Sequence, residues 1–168
     1  DPTMMDDSWK SKLLPIIGDA DAQELWFVTS FVTPAYLLLA VFPRWKHTHL
    51  FALIVPALHG GIYWLSLMAF LGSKENQNPN ASFFSLEGVY ELFRDPNAVF
   101  AGWIHYLAFD LLVARGISLD ALERGATNVV YYISVVPCLF FCLMFGPVGF
   151  LMYLPIRAAF LSGKEKED

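Results

Sequence analysis

The sequence predicts an all-α integral membrane protein with four transmembrane helices and a short interfacial amphipathic helix. Three observations carry this. Of the 168 residues, 56% are apolar and only 16% are charged, whereas a soluble domain carries about a quarter charged residues. Four apolar runs approach or exceed the roughly 20 residues that a membrane-crossing helix needs. Aromatic residues make up 16% of the chain, with 15 Phe among them. That density suits a lipid-facing surface, or a pocket for a flat or polyene ligand.

The net charge of −5 comes mostly from the tails, so nothing points to nucleic-acid binding. Cys138 and Cys142, four apart on one apolar helix, read as small buried hydrophobes. No second ligand pair accompanies them, so no metal or redox role is expected. No cleavable signal or transit segment is expected within these residues.

In chain order, residues 1–22 form an N-terminal arm, extended or carrying a short interfacial helix with the apolar patch Leu13–Ile17. Asp21 followed by Glu24 reads as an N-cap with an acid in the first turn. The transmembrane domain spans 23–162. Its first helix, 23–42, is expected to kink at Pro34, which frees the carbonyl of Ser30. Pro43–His49 is an interfacial turn with Trp45 at headgroup level. His47 and His49 in that turn belong to a solvated surface. The second helix, 50–71, holds Pro56, His59 and the Gly60-Gly61 pair, which would let a neighbouring helix or ligand approach closely.

Residues 72–97 are the longest polar stretch. Gly72–Asn80 is a loop. Ser85 caps the amphipathic run S-L-E-G-V-Y-E-L-F-R, placed on the membrane surface with Leu86, Val89, Leu92 and Phe93 on one face. Asp95-Pro96-Asn97 caps a third helix, 98–115, and Gly116–Asn128 is read as a loop. The apolar run 128–160 would measure about 50 Å as one straight helix at about 1.5 Å per residue, against a hydrocarbon core of about 30 Å. It is therefore expected to break near 146–147, with Arg157 snorkelling to the headgroups. Residues 163–168 are a polar tail. Four crossings put both termini on one side. Lysines and arginines fall on both faces, mixed with acids, and leave the orientation open.

The third helix carries the chemistry. Ionisable side chains at membrane depth are costly and usually face a partner, a cavity or a ligand, and this helix holds both His105 and Asp110. Trp103, Tyr106 and Asp110 share one stripe, and Tyr106 is the natural i,i+4 partner of Asp110. His105 and Asp110 are five apart, about 7.5 Å along the axis, too far round for a direct bond. They are placed to flank a ligand, or Asp110 pairs with another helix through a residue such as His59. The plain structural alternatives are that His105 or His59 donates to a neighbouring carbonyl, and that Asp110 pairs with Arg115 or Arg44. The ring of His105 is expected to face the interior or a bound pigment, so that His105→Ala harms function more than His59→Ala.

The run A-G-W-I-H-Y-L-A-F-D-L, residues 101–111, resembles the signature of the abscisic-acid-deficient-four-like membrane proteins, whose plant member is tied to neoxanthin synthesis. Phe84–Val89, Arg115, Asp120 and Gly146–Gly149 add weaker matches. The resemblance extends from about Trp26 to Arg157. It implies a four-helix protein of the plastid thylakoid membrane that binds or converts xanthophylls. Neoxanthin formation opens an epoxide while a proton leaves the adjacent polyene carbon, giving an allene. It needs an acid and a base and no redox cofactor. The resemblance makes His105 the base and Asp110 the acid, with His59, Trp103, His105 and Tyr106 around the pigment. A competing reading is a non-catalytic subunit of a photosystem or antenna complex that holds carotenoid and chlorophyll. There His59 or His105 ligates chlorophyll magnesium and Asp110 is structural. A transporter or proton relay is weaker, since only one helix pairs ionisable residues.

Overall fold

The computed structural model describes residues 7–73 and 78–161. Among them the regular elements are helices, with one isolated antiparallel bridge between Ile17 and Ala20. Glu24–Val41, Thr48–Gly72, Pro96–Glu123 and Asn128–Phe145 are each long and apolar enough to cross a membrane. The protein is an all-α integral membrane protein, as its composition predicts. The polar tail 163–168 lies outside the described residues, as do the first six residues of the arm and residues 74–77 of the polar loop.

The first span has two parts. Asp21 caps it, its Oδ1 accepting from the amides of Gln23 at 2.8 Å and Glu24 at 3.1 Å. A 3-10 helix, Glu24–Phe31, then passes into helix α1, Val32–Val41. The change of pitch falls just before Pro34 rather than at it. Pro34 thus occupies the first turn of α1, where its missing amide costs nothing. Helix α2, Thr48–Gly72, carries Pro56 in its interior. Apart from chain neighbours and the helix's own backbone, no described heavy atom lies within 4 Å of where a Cβ would stand on Gly60 or Gly61, so no neighbouring helix makes the close approach there that the sequence suggests.

Ser85 caps helix α3, Leu86–Leu92, by accepting from the amide of Gly88 at 3.0 Å. Leu92 is buried, while Leu86 and Phe93 stay exposed. Asp95 caps helix α4, Pro96–Glu123, by accepting from the amide of Asn97 at 2.8 Å. This helix runs through Gly116 to Glu123, well past the expected end at residue 115. The segment after Gly116 is I-S-L-D-A-L-E, a good helix former. Asp120 and Arg124, four apart, pair at 2.9 Å across its last turn. The connecting loop shrinks to a few residues around Gly125, which takes a positive φ of 76°.

The fourth span is a short helix α5, Asn128–Val130, then a π-helical turn, Tyr131–Val135, then helix α6, Val136–Phe145. The wide turn lies directly before Pro137, whose ring crowds the preceding turn and removes a donor. Gly146, at φ 52° and ψ −106°, ends α6 and starts helix α7, Pro147–Phe160. The expected break at Gly146-Pro147 is present. Gly149 of α7 packs against Cys138 and the Cys142 backbone so closely that an added Cβ would collide with both.

The described residues fall into two compact units, one drawn from 1–29 and 59–105, the other from 30–58 and 106–168. In the first, Ala22, Leu25, Val28, Ile62, Phe100 and Ile104 form the core. Buried Asn97 ties the arm to α4: its Oδ1 accepts from the Leu14 amide at 3.0 Å, and its Nδ2 donates to the Lys12 carbonyl at 2.9 Å. In the second, Leu39, Ala52, Leu111, Ala114, Val135 and Leu139 pack with fully buried Tyr131. The Tyr131 hydroxyl donates to the Leu39 carbonyl at 2.9 Å and lies 2.6 Å from Ser118 Oγ. Cys138 and Cys142 are fully buried in this core.

Candidate functional site

Helix α4 supplies residues to both units, and its two candidate site residues line separate hollows. His105 belongs to the first unit. Its ring is exposed, not turned to the interior, and sits 5.2 Å from the ring of Tyr63 at a tilt of 41°. With Tyr63, Leu67, Phe70, Phe93 and Gly102 it lines a hollow of about 260 Å³. Gly102 is required there, because a Cβ at that position would stand 2.8 Å from the Phe93 ring. Trp103 is also exposed and stacks on Trp26, with centroids 6.4 Å apart and planes within 16°.

His59 is fully buried in the same unit, with Nε2 2.9 Å from the carbonyl of Val28. A carbonyl only accepts, so Nε2 carries the proton and Nδ1 is left as an acceptor without a partner. This is the arrangement of a structural histidine that ties α2 to the first span's 3-10 helix. A second hollow of this unit, about 510 Å³, is lined by Trp9, Trp26, Arg94 and Phe100 among others. Arg94 is engaged at its edge, paired with Glu91 at 2.8 Å and stacked over the Tyr90 ring.

Asp110 belongs to the second unit and lines a hollow of about 660 Å³ between α4 and α7. Phe109, Val113 and Ile117 form one wall, and Pro147, Phe150 and Leu154 the other. Asp110 is 7% exposed. Tyr106, one turn earlier, donates a hydrogen bond to its carboxyl, as the i,i+4 spacing predicts. The other oxygen, Oδ2, is buried without a partner. Neither arginine that the sequence offers is spent on it: Arg115 donates to the His49 carbonyl at 2.8 Å, and Arg44 to Asn128 Oδ1 at 2.7 Å. The helix break makes room for the carboxyl. A Cβ on Gly146 would stand 2.9 Å from Asp110 Oδ1.

Ten residues along α4, about 15 Å at the helical rise, the hollow reaches Asp120. That carboxylate accepts from Arg124 Nε at 2.9 Å, Arg157 Nε at 2.9 Å and Tyr153 OH at 2.6 Å. Arg157 does not simply snorkel; it fastens α7 to α4. The sequence reading has Asp120 only as a weak family match and places it in a loop, although Asp120 and Arg124 at i,i+4 are a usable helix signal. It misses Tyr36 of α1, 6% exposed, whose hydroxyl is buried without a partner. A tyrosine inside an apolar span looks like any other core aromatic.

The chain is thus a four-span helical membrane protein with a buried carboxyl, one oxygen of which lacks a hydrogen-bond partner, on the wall of an apolar groove. Residues 25–153 match the model of the ABA DEFICIENT 4-like family, and the protein belongs to that family. No curated protein and no solved structure matches it. Among the described residues no group of three or more His, Cys, Asp or Glu side chains is placed to hold a metal ion.

Proposed function

We propose that the protein is a neoxanthin-synthase-related enzyme of the plastid thylakoid membrane that binds a xanthophyll epoxide in the α4–α7 groove and isomerises it to an allene. The observation that carries this reading is the buried carboxyl of Asp110, with Oδ2 lacking a hydrogen-bond partner, on the wall of a groove of about 660 Å³. A buried polar atom without a partner costs about 1–3 kcal/mol, and such a cost at the wall of an apolar hollow is the mark of a ligand site. Family membership supports a carotenoid as the substrate class, and the exposed aliphatic and aromatic rims fit a route in from the lipid.

The reaction moves one proton from a polyene carbon to the epoxide oxygen while the C–O bond breaks. A carboxyl on the groove wall, with the Tyr106 phenol bonded to it, serves as both base and acid, because the proton it takes is the one it returns. No electron is transferred, so no redox cofactor is needed. His105, in a hollow of the other unit, is assigned to pigment contact beside Tyr63 rather than to proton transfer.

The test is pigment analysis of violaxanthin-producing cells that lack this activity, carrying the wild type or Asp110→Asn. Neoxanthin is expected with the wild type only, at equal protein levels. Neoxanthin formation undiminished by the substitution overturns the assignment.

The second reading, an accessory subunit holding carotenoid and chlorophyll beside photosystem or antenna partners, draws on the exposed Trp26–Trp103 stack and the exposed ring of His105. A neutral imidazole at His105 fits a chlorophyll magnesium, whereas fully buried His59 does not. The hollow at His105, about 260 Å³, is too small to enclose the macrocycle, so the pigment would lie on the outer face. Stoichiometric chlorophyll absorption in the purified protein favours this reading.

A further inference from the structure

The α4–α7 groove has a polar end, and the groups there are not equally spent. Asp120, Tyr153 and Arg157 all line the groove. Asp120 is satisfied at both oxygens: Oδ1 accepts from Arg124 Nε, and Oδ2 from Arg157 Nε and the Tyr153 hydroxyl. Arg157 is satisfied only in part. It donates through Nε alone, at 2.9 Å, and its two terminal nitrogens have no partner among the described residues. Its side chain is 42% exposed, so the residue sits at the rim of the groove rather than in the core. Two guanidinium groups against one carboxylate leave the cluster with a net positive charge. Exposed Glu123 lies nearby on α4 but does not line the groove.

The length of the groove matches a membrane dimension. Asp120 stands in the last turn of α4, Pro96–Glu123, and Asp110 near the middle of that helix. The ten residues between them rise about 15 Å, half of a hydrocarbon core of about 30 Å. The groove therefore runs from headgroup level to the middle of the bilayer, the depth that one acyl chain of one leaflet fills. An arginine held by its Nε still offers two side-by-side N–H groups at its tip, the geometry that grips a phosphate bidentately. Basic pockets between membrane helices bind anionic headgroups in this way. We infer that the groove is a slot for one anionic phospholipid, with its phosphate on the terminal nitrogens of Arg157 and one acyl chain laid between α4 and α7 toward Asp110. Asp120 is a positioning residue in this site: it holds the guanidinium at the rim, and Tyr153 holds Asp120. A zwitterionic lipid brings the same chain with a cation beside its phosphate, and the net positive cluster disfavours it. Lipid chain and polyene claim the same apolar walls, so a bound lipid excludes a carotenoid and governs access to Asp110. The inference concerns what binds at Arg157 and does not rest on the carotenoid reading.

The experiment titrates the purified protein, free of pigment in a nonionic detergent, with dioleoylphosphatidylglycerol or dioleoylphosphatidylcholine and counts retained lipid by native mass spectrometry. The wild type is expected to hold one phosphatidylglycerol about tenfold more tightly than phosphatidylcholine, the worth of one charge-assisted hydrogen bond. Arg157→Gln is expected to erase that preference. Leu154→Trp fills the groove from an exposed position on its wall and leaves Arg157 in place. It is expected to weaken retention of both lipids. Arg157→Gln also breaks the tie to Asp120, so Leu154→Trp decides the matter if the first variant does not fold. Equal retention of the two lipids by the wild type, a preference that survives Arg157→Gln, or phosphatidylglycerol held undiminished by Leu154→Trp each overturns the inference. No pigment is present, so such a failure leaves the functional reading standing, and failure of that reading leaves this result untouched.

Discussion

His59 and Asp110 are both ionisable, both buried, and both bonded through one side-chain atom with the other left without a partner. They differ in what surrounds the orphan. The first unit encloses His59 completely, and the residue lines none of the hollows described above. The second unit sets Asp110 in the wall of a groove of about 660 Å³. An orphan sealed in a core is a cost carried for the sake of a tie between segments. A carboxyl on the wall of a hollow stands where a ligand can meet it. Burial and ionisability alone do not separate these two roles; access does.

The comparison breaks most severely if the groove loses its frame. Gly149 lets α7 lie against Cys138 and Cys142 without a side chain between them. Gly149→Leu puts four heavy atoms into a space with none free, and overpacking of this kind costs about 3 kcal/mol or more. The expected outcome is loss of a monodisperse protein in detergent, or a large fall in its unfolding temperature. Gly60→Leu is the control, since its Cβ meets no atom within 4 Å. Equal tolerance of the two substitutions would show that the α6–α7 contact does not hold the groove open.

The structural half of the comparison is sharpened by His59→Ala. It removes the bond to the Val28 carbonyl and opens a cavity in a fully buried site, together costing about 2–3 kcal/mol. The expected signature is a lower unfolding temperature with the neoxanthin yield of the surviving protein unchanged. A stable variant with altered pigment selectivity would move His59 into the binding site and erase the contrast with Asp110.

Much of this was legible in the chain. Run lengths and composition gave four spans, Ser85 and Asp95 announced their caps, and Gly146-Pro147 marked a break that no helix can cross without strain. The signal at Asp110 was legible for a physical reason: a charge on an apolar stripe stands out against its neighbours. What stayed hidden depends on the third dimension. Tyr36 is amphipathic, so nothing in the sequence says whether its hydroxyl is bonded. The extension of α4 to Glu123 was obscured by Gly116, which lowers helix propensity yet is outweighed by the Asp120 pairing with Arg124 and Arg157. His105 and Asp110, read as flanking one ligand, line separate hollows, because five residues along a helix turn the two side chains to different neighbours.

The smallest expected effect belongs to His105, the residue that the sequence ranked above His59. Its ring is exposed and its described contact is a tilted approach to Tyr63 at 5.2 Å. An aromatic contact of this kind is worth about 0.5–1.5 kcal/mol when fully packed, and exposure places His105→Ala at or below the lower end. The sequence ranked the two histidines by function; for stability, His59→Ala is expected to be the more damaging. Function separates the remaining roles. If Asp110 carries the proton transfer, His105→Ala leaves neoxanthin formation within about twofold of the wild type. If His105 is instead the base, as its family motif implies, the same substitution lowers formation about a hundredfold or more, the usual loss on removing a general base, while the unfolding temperature barely moves. Neoxanthin yield and unfolding temperature measured on the same variant therefore decide whether the chemistry of α4 resides in one unit or draws on both.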